Sequence, residues 1–383
     1  MKKFLLKILL FLSPFLVVLG LELFVLPIDF FTFRSHEALV VRKFSNIIPG
    51  KFYPNMTLVK EEEGDLGHHT KYSLRRTVKW ITDSYGYRKK SSDRMKYEVV
   101  IIGQSETFGA CLSQDELLSE VLQEQLNLGV YPFAPAGVNA FLRERRFNLR
   151  PPEIVIFSSM DKRGLFVAEP VKIESGRKWA LYETVQNSFR RLKEYQWVQS
   201  IGVILDRLYK MNMVHYLRAS LERRFSNQDI PLSKRVDSKF GTILFLQGAK
   251  ANQEVPEERL NQVVQKVKAY HDQFESRGIR FIFLPIPDKE TIFYEFLGTP
   301  RPIFLRQLVD RLKQLGVETV DTQPAFEKAF QEGVLPYRND DTHWNADGVK
   351  IAAGLIKTLI EERMPKASLP REKIKAPFFR SRR

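Results

Sequence analysis

Cysteine is nearly absent. The 383 residues hold one, Cys111, which excludes an internal disulfide and leaves the redox compartment open. No zinc-finger spacing, RNA-recognition signature or long lysine/arginine block occurs, so the formal net charge of +15 does not point to nucleic acid. That charge suits a protein lying against an anionic membrane or handling an acidic polymer. His68-His69 beside Asp65 match no standard ligand spacing and read as a surface loop, so neither metal nor cofactor is expected. No internal repeat is found. Also missing is an Ala-x-Ala-like cleavage site after the apolar N-terminal run.

That run is the first thing present. Lys2, Lys3 and Lys7 precede an apolar stretch from Ile8 to Pro27, broken only by Ser13, Pro14 and Glu22. It comes near the ~20 residues that cross a bilayer. Flanking lysines favour an N-terminus on the cytoplasmic side. An uncleaved signal anchor over residues 1–27 is therefore expected, with the remaining chain extracytoplasmic. Glu22 is costly in lipid, but it stands near the far end, where it can approach the interface.

Residues 28–96 read as a juxtamembrane segment followed by a small strand-rich lead-in, with a turn at Asp83-Ser84-Tyr85-Gly86-Tyr87-Arg88. From residue 97 the pattern changes to short apolar strands alternating with amphipathic helices. Strands are predicted at Val99–Ile102, Ile154–Phe157, Thr242–Leu246, Ile279–Leu284 and Val317–Val320. Helices are predicted at 256–277, 303–315 and 346–363. Ser113 and Glu116 form a possible capping box ahead of an apolar helical face from Leu117 to Leu126. This alternation argues for an α/β domain over 97–363, a parallel sheet covered on both faces. Residues 175–238 break the rhythm as a helical insertion rich in Trp179, Trp197, Tyr195, Tyr209, Tyr216, Arg190, Arg191, Lys193, Arg207 and Lys210. Core packing with a solvated basic face, membrane-surface contact and a glycan groove remain open for it. The tail 364–383, basic and proline-containing, is expected to be disordered.

Two short motifs carry the chemistry. Gly103-Gln104-Ser105-Glu106-Thr107-Phe108-Gly109 follows the first strand and places a serine at a strand-to-loop turn. Asp340-Asp341-Thr342-His343-Trp344-Asn345 offers a histidine with carboxylates two and three residues before it. A serine hydroxyl needs a neighbouring base, and His343 can serve near neutral pH. A carboxylate must orient the imidazole, with Asp340 and Asp341 competing for the role. The Ser105 N–H, beside small residues, can donate to a developing oxyanion.

These motifs resemble the SGNH/GDSL hydrolase superfamily. Gly103 to Gly109 is similar to its first block, Gly-Asp-Ser followed by Thr-x-Gly, and Tyr85-Gly86-Tyr87-Arg88 to a segment often preceding it. Ala136-Gly137 resembles the second block, which implies a Gly137 N–H in the oxyanion hole. Asp340 to His343 resembles the fifth block. The resemblance implies a flavodoxin-like three-layer sandwich. Leu284-Pro285-Ile286-Pro287-Asp288-Lys289 together with Asp341-Thr342-His343-Trp344-Asn345 resembles a narrower branch, the SGNH-like domains of alginate-type polysaccharide O-acetyltransferases. That branch implies Asp341 as the acting carboxylate, whereas the wider superfamily implies Asp340; the balance leans to Asp341. The order of residues is mixed, because the branch often places its serine after the histidine. Two further departures stand out: Gln104 replaces the usual aspartate, and Met160 in Ser158-Ser159-Met160-Asp161 replaces the oxyanion-hole asparagine. Arg163 or Asn139 are the candidates to substitute.

The expectation is a membrane-anchored, extracytoplasmic serine esterase or acyltransferase that adds or removes O-acetyl groups on a cell-surface polysaccharide. Its partners would be an acylated carbohydrate or other ester, the membrane, and a multi-pass membrane acyltransferase. The competing readings are a lipase or esterase on small or lipid esters, and a catalytically decayed glycan-binding assembly module.

Overall fold

The computed structural model describes residues 2–90, 96–161, 195–225 and 234–363. Its centre is a five-stranded, wholly parallel sheet. Numbered along the chain, β1 (Thr57–Glu62) and β2 (Arg76–Ile81) form an antiparallel hairpin ahead of it. β3 (Val99–Ile102), β4 (Val130–Phe133), β5 (Ile154–Met160), β8 (Arg280–Ile286) and β9 (Glu318–Thr319) form the sheet in the order β4-β3-β5-β8-β9. Counted within the sheet this is the 2-1-3-4-5 order of flavodoxin-like folds. Short, fully apolar strands such as Val99-Val100-Ile101-Ile102 are what such a sheet requires, because each face is covered. Val100, Ile102, Val155, Phe157, Phe281 and Phe283 pack on one side with the helices Glu257–Glu275 and Phe304–Gln314. Val99, Ile101, Ile154, Ile156, Ile282 and Leu284 pack on the other with Leu118–Leu126 and Ala346–Glu362. The expected three-layer α/β architecture is the observed one.

Local chemistry sets the helix starts that matter. The Ser113/Glu116 capping box forms, and it opens a 3₁₀ turn (Gln114–Glu116) before the helix Leu118–Leu126. The Asn345 side chain accepts the Asp347 and Gly348 N–H groups, fixing the start of Ala346–Glu362 directly after His343 and Trp344. That helix buries Val349, Ala352, Ala353, Ile356 and Ile360, a single stripe at helical spacing.

Two strand expectations need correction. The segment predicted at Thr242–Leu246 is β7 (Gly241–Phe245), but it pairs antiparallel with β6 (Lys234–Ser238) and does not enter the central sheet. β6 also makes the end of the expected helical insertion a strand. Conversely, β4 was not anticipated. Pro132 within Val-Tyr-Pro-Phe lacks an N–H, which is tolerated because β4 lies at the sheet edge.

Within the insertion, two helices are described, Gln196–Lys210 and Asn212–Phe225. Trp179, Arg190, Arg191, Lys193 and the tail 364–383 lie outside the described residues. At the N-terminus, a helix runs from Lys2 to Val25, its last turn π-helical, and is long and apolar enough to cross a membrane.

Candidate active site

β3 delivers Gly103 and Gln104 to the carboxyl edge of the sheet, and Ser105 opens the one-turn helix Ser105–Phe108. Gly103 admits no side chain: a Cβ there would lie 2.0 Å from Thr107 Oγ1 and 2.1 Å from Ser158 Oγ. Gly109 ends the turn with φ +74°, the left-handed conformation that favours glycine.

Arg88 then fixes the loop. Its guanidinium donates to the carbonyls of Phe108, Gly109 and Leu112, and at 3.0 Å to Lys79, while stacking 3.7 Å from the Trp80 ring. Buried cation–π contacts of this kind contribute about 2 kcal/mol. This is what the Tyr-Gly-Tyr-Arg segment does here: it clamps the serine turn from outside. Burial, only partly offset by Glu62 and other anionic neighbours, brings the Arg88 pKa down to about 9.

The histidine loop is held from three directions. Lys289, buried after β8, donates to the carbonyls of Arg338, Asn339 and Asp341 at 2.6–3.1 Å. Burial lowers its pKa to about 8 against the pull of Asp341 and Glu290. Asp340 faces away from His343. Its Oδ2 accepts the Gly64 and Leu74 N–H groups at 2.9 and 2.8 Å, and its carbonyl accepts Leu66 and Gly67. Asp341 Oδ1 lies 2.6 Å from His343 Nδ1 and also accepts the His343 N–H at 2.8 Å. Its Oδ2 accepts Arg34 at 2.7 Å, the Asp65 N–H at 2.8 Å and the Cys111 thiol at 3.1 Å.

Charge follows from these contacts. Burial alone would raise the Asp341 pKa, but His343 and Arg34 outweigh it and hold the carboxyl well below the usual range. Burial alone would lower that of His343, but Asp341 first, then Glu106 and Asp65, carry it above the ordinary imidazole value. An aspartate–imidazole pair of this polarity can serve as orienter and base for a nucleophile.

The serine half differs from the sequence expectation in one respect. Ser105 Oγ makes no hydrogen bond to His343; it donates to Glu106 Oε2 at 3.1 Å. Glu106 Oε1 lies 3.8 Å from His343 Nε2 and, among the described residues, has no hydrogen-bond partner. Ser105 and His343 therefore converge on one buried carboxylate. Trp344 Nε1 donates to the Glu106 carbonyl at 3.3 Å, tying the two motifs together.

On the other side, Ala136 N–H donates to the Gly103 carbonyl at 2.9 Å, which brings Gly137 beside the serine loop. Among the described residues nothing lies within 4 Å of where a Gly137 Cβ would stand. Met160 ends β5, half-buried, and brings no side-chain N–H. Asn139 lies on the short helix Val138–Leu142, and Arg163 lies outside the described residues.

Asp65, Asp341 and His343 lie close enough to share a cation. Their acceptors are already engaged, however. Arg34 bridges Asp341 and, at 3.7 Å, Asp65, while the Thr342 N–H and hydroxyl occupy both Asp65 oxygens. Arg34 thus supplies the positive charge that a metal would bring. From the turn that holds His68 and His69, Asp65 reaches the Asp341-Thr342-His343 stretch; His68 beside it stacks on Phe33 at 4.3 Å. Glu106 and Lys289 sit inside motifs already singled out, and their charge next to the serine and before the histidine loop was the available signal. Arg34 and Asp65 carry no local signal, since only the tertiary fold brings them here.

Comparison with known proteins fits this geometry in part. No curated protein matches. Among solved structures, a protein assigned to the G-D-S-L lipolytic family from Desulfitobacterium hafniense is 15% identical, with 68% of this chain and 98% of that one covered at a TM-score of 0.32. A carbohydrate esterase family 2 enzyme with a carbohydrate-binding domain, from Corynascus thermopiles (Myceliophthora fergusii), is 7% identical over 76% of this chain and 72% of its own, at a TM-score of 0.33. Residues 244–378 match the family model described as the SGNH hydrolase-like domain, acetyltransferase AlgX. Ser105 lies before that match; Lys289, Asp341 and His343 lie within it. The chain thus carries an SGNH hydrolase-like segment that includes Asp341 and His343, which supports an ester hydrolase or acyltransferase.

Proposed function

We propose that this chain is a membrane-anchored, extracytoplasmic serine acyltransferase or esterase acting on O-acetyl groups of a cell-surface polysaccharide. The observation that carries the reading is the line Asp341–His343–Glu106–Ser105 at the carboxyl edge of the parallel sheet. The reading requires the Ser105 hydroxyl to rotate about χ1, from Glu106 toward His343 Nε2. Ser105 Oγ then attacks the acyl carbonyl while its proton passes to Nε2, and Asp341 stabilises the imidazolium. The N–H groups of Ser105 and Gly137 are the donors for the oxyanion. On collapse, the ester C–O bond breaks and His343 returns the proton to the leaving alcohol. A sugar hydroxyl or water next attacks the acyl-enzyme, giving up its own proton to His343; the Ser105 Oγ–acyl bond then breaks and His343 returns that proton to Oγ. The apolar helix Lys2–Val25 supports a membrane location, and the net charge of +15 suits an acidic polymer or lipid headgroups. A multi-pass acyltransferase is the class of partner that would deliver acyl groups across the membrane.

Purified full-length protein should turn over a chromogenic acetyl ester, and Ser105→Ala should abolish this with folding intact. Net acylation of added oligosaccharide separates transfer from hydrolysis. A non-catalytic glycan-binding module is the second reading, favoured by the hold of Glu106 on the serine and by Met160 in the asparagine's place. A fluorophosphonate serine probe decides between them: labelling lost in Ser105→Ala supports catalysis, and no labelling of the parent favours the binding module.

A further inference from the structure

The helix Gln196–Lys210 is built inside out. Its buried residues are Gln199, Gly202, Asp206 and Lys210. Gln199 Nε2 donates to the Ser84 carbonyl at 3.1 Å, and Lys210 Nζ to the Ala38 carbonyl at 3.0 Å. Asp206 accepts the N–H groups of Arg42 and Lys43 and the Tyr53 hydroxyl. Gly202 lies against Ile47 and Ile48. The outward face instead carries Trp197, 63% exposed, Ile201, 47%, and Ile204, 50%, spaced as one helical stripe. In the next helix, Asn212–Phe225, none of the described side chains is fully buried, and Val214, Leu217 and Leu221 are exposed, again as one stripe. A helix that spends its polar residues inward and its large apolar ones outward faces something less polar than water.

What it faces is indicated by its attachments. Arg207 donates to the carbonyls of Glu22, Leu23 and Leu26, the last turn of the apolar N-terminal helix. The Glu22 carboxylate accepts the Asn212 and Met213 N–H groups, capping the second helix at its positive end. The elbow between the two amphipathic helices is therefore fastened to the point where the 24-residue apolar helix ends. That helix is itself exposed along its length, Phe4, Leu9, Phe11, Phe15 and Phe24 included.

We infer that the pair Gln196–Lys210 and Asn212–Phe225 lies in the surface of the phospholipid bilayer, with Trp197, Ile201, Ile204, Leu217 and Leu221 inserted among the lipids. It rests on the anchor reading above and extends it. The anchor becomes a seat, holding the catalytic domain in a fixed orientation at the bilayer instead of on a swinging tether. It also gives Glu22 a purpose: a carboxylate placed at the interface serves as a helix cap and does not have to enter lipid. Amphipathic helices of this type sink about 5–10 Å into the headgroup boundary. A second copy of the chain is the other apolar surface that would cover the stripe.

The test uses the full chain reconstituted in phosphatidylcholine/phosphatidylglycerol vesicles with and without acyl-chain-brominated phosphatidylcholine, a short-range quencher of tryptophan. Emission from Trp197 is isolated as the difference between the parent and Trp197→Phe; a separate Phe11→Trp variant reports on the apolar helix. The seat requires Trp197 emission to fall at least about twofold, as for a side chain at the acyl boundary. It also requires Ile201→Glu/Leu217→Glu to remove that quenching while leaving turnover of a soluble ester unchanged. If the added tryptophan at position 11 is quenched and Trp197 is not, the anchor stands and the seat is wrong. Unquenched Trp197 together with a dimer mass in mild detergent assigns the stripe to a second copy. If neither site is quenched, the anchor reading fails and the seat fails with it.

Discussion

Replacing each aspartate of the Asp340-Asp341 pair by asparagine should give two different defects. Asp341 Oδ1 contacts His343 Nδ1 at 2.6 Å, and loss of its charge leaves the imidazole free to take the wrong tautomer. The comparable change in a serine triad lowers kcat by roughly 10⁴. At 1.36 kcal/mol per decade this is about 5.4 kcal/mol of barrier. Asp340 makes no contact with the imidazole; its Oδ2 accepts Gly64 and Leu74. An amide oxygen keeps both acceptor positions but loses the charge assistance, costing about 2–3 kcal/mol in stability. With about 2.1 cal/mol/K of unfolding entropy per residue, a chain of 383 residues would then lose roughly 2–4 °C in Tm. The assay pairs kcat/KM on a chromogenic acetyl ester, corrected for folded fraction by near-ultraviolet circular dichroism, with thermal melting. Asp341→Asn should be nearly inactive, and Asp340→Asn should melt early yet turn over within about threefold of the parent. An Asp340→Asn protein that melts normally but loses turnover a thousandfold, or an Asp341→Asn protein within tenfold of the parent, refutes the assignment.

Three more substitutions carry expected outcomes. Because the His343 pKa is raised, in part by Glu106, and the base form is the active one, the acid limb of kcat/KM should lie above pH 6.5; Glu106→Gln should move it to lower pH, and an unmoved limb would remove Glu106 from the site. Lys289→Met should lower kcat far more than it changes KM, because three carbonyls of the histidine loop lose their donor. Folding lowers the Lys289 pKa to about 8 from 10.5, so between those values the unfolded chain binds more protons and this residue makes stability rise with pH; in urea titrations at pH 8 and pH 10, that part of the rise should be missing from Lys289→Met. Arg88→Met should destabilise the chain by about 3 kcal/mol or more, read as a lower urea midpoint, since it leaves the Phe108, Gly109 and Leu112 carbonyls without their buried donor.

What the sequence disclosed, and what it withheld, follows the range over which each signal acts. Val99–Ile102 is legible because a strand covered on both faces must be apolar throughout, and the Ser113/Glu116 capping box because a cap acts three residues away. The Gly103 and Gly109 positions are fixed by contacts within the same turn and its neighbour strand. β7 misled because Thr-Ile-Leu-Phe is as apolar as a central strand; only its partner β6 shows that it forms a separate hairpin. β4 was hidden by Pro132, whose cost vanishes at a sheet edge. Around the histidine, Asp340 and Asp341 are indistinguishable as neighbours in sequence. They part only because Gly64 and Leu74 claim one while Arg34 and His343 claim the other, contacts spanning more than 260 residues in three of the four cases.

These long-range contacts have a common origin. Arg34, Asp65 and Arg88 all come from the segment before β3, and each meets one of the two chemical loops: Arg34 and Asp65 the Asp341-Thr342-His343 stretch, Arg88 the carbonyls that follow Ser105. The same segment holds the inside-out helix through Arg42, Lys43 and Tyr53. A flexible spacer between membrane and enzyme would make none of these bonds. The stretch from Arg34 to Arg88 is therefore part of the site's framework, joining the apolar helix, the amphipathic pair and the Asp341–His343 pair through consecutive buried contacts. That continuity gives a physical reason for so basic a chain to bury an arginine on Asp341. Arg34 neutralises Asp341 through Oδ2 while leaving Oδ1 free for His343, so the carboxylate that positions the imidazole is itself positioned by the segment that follows the apolar helix.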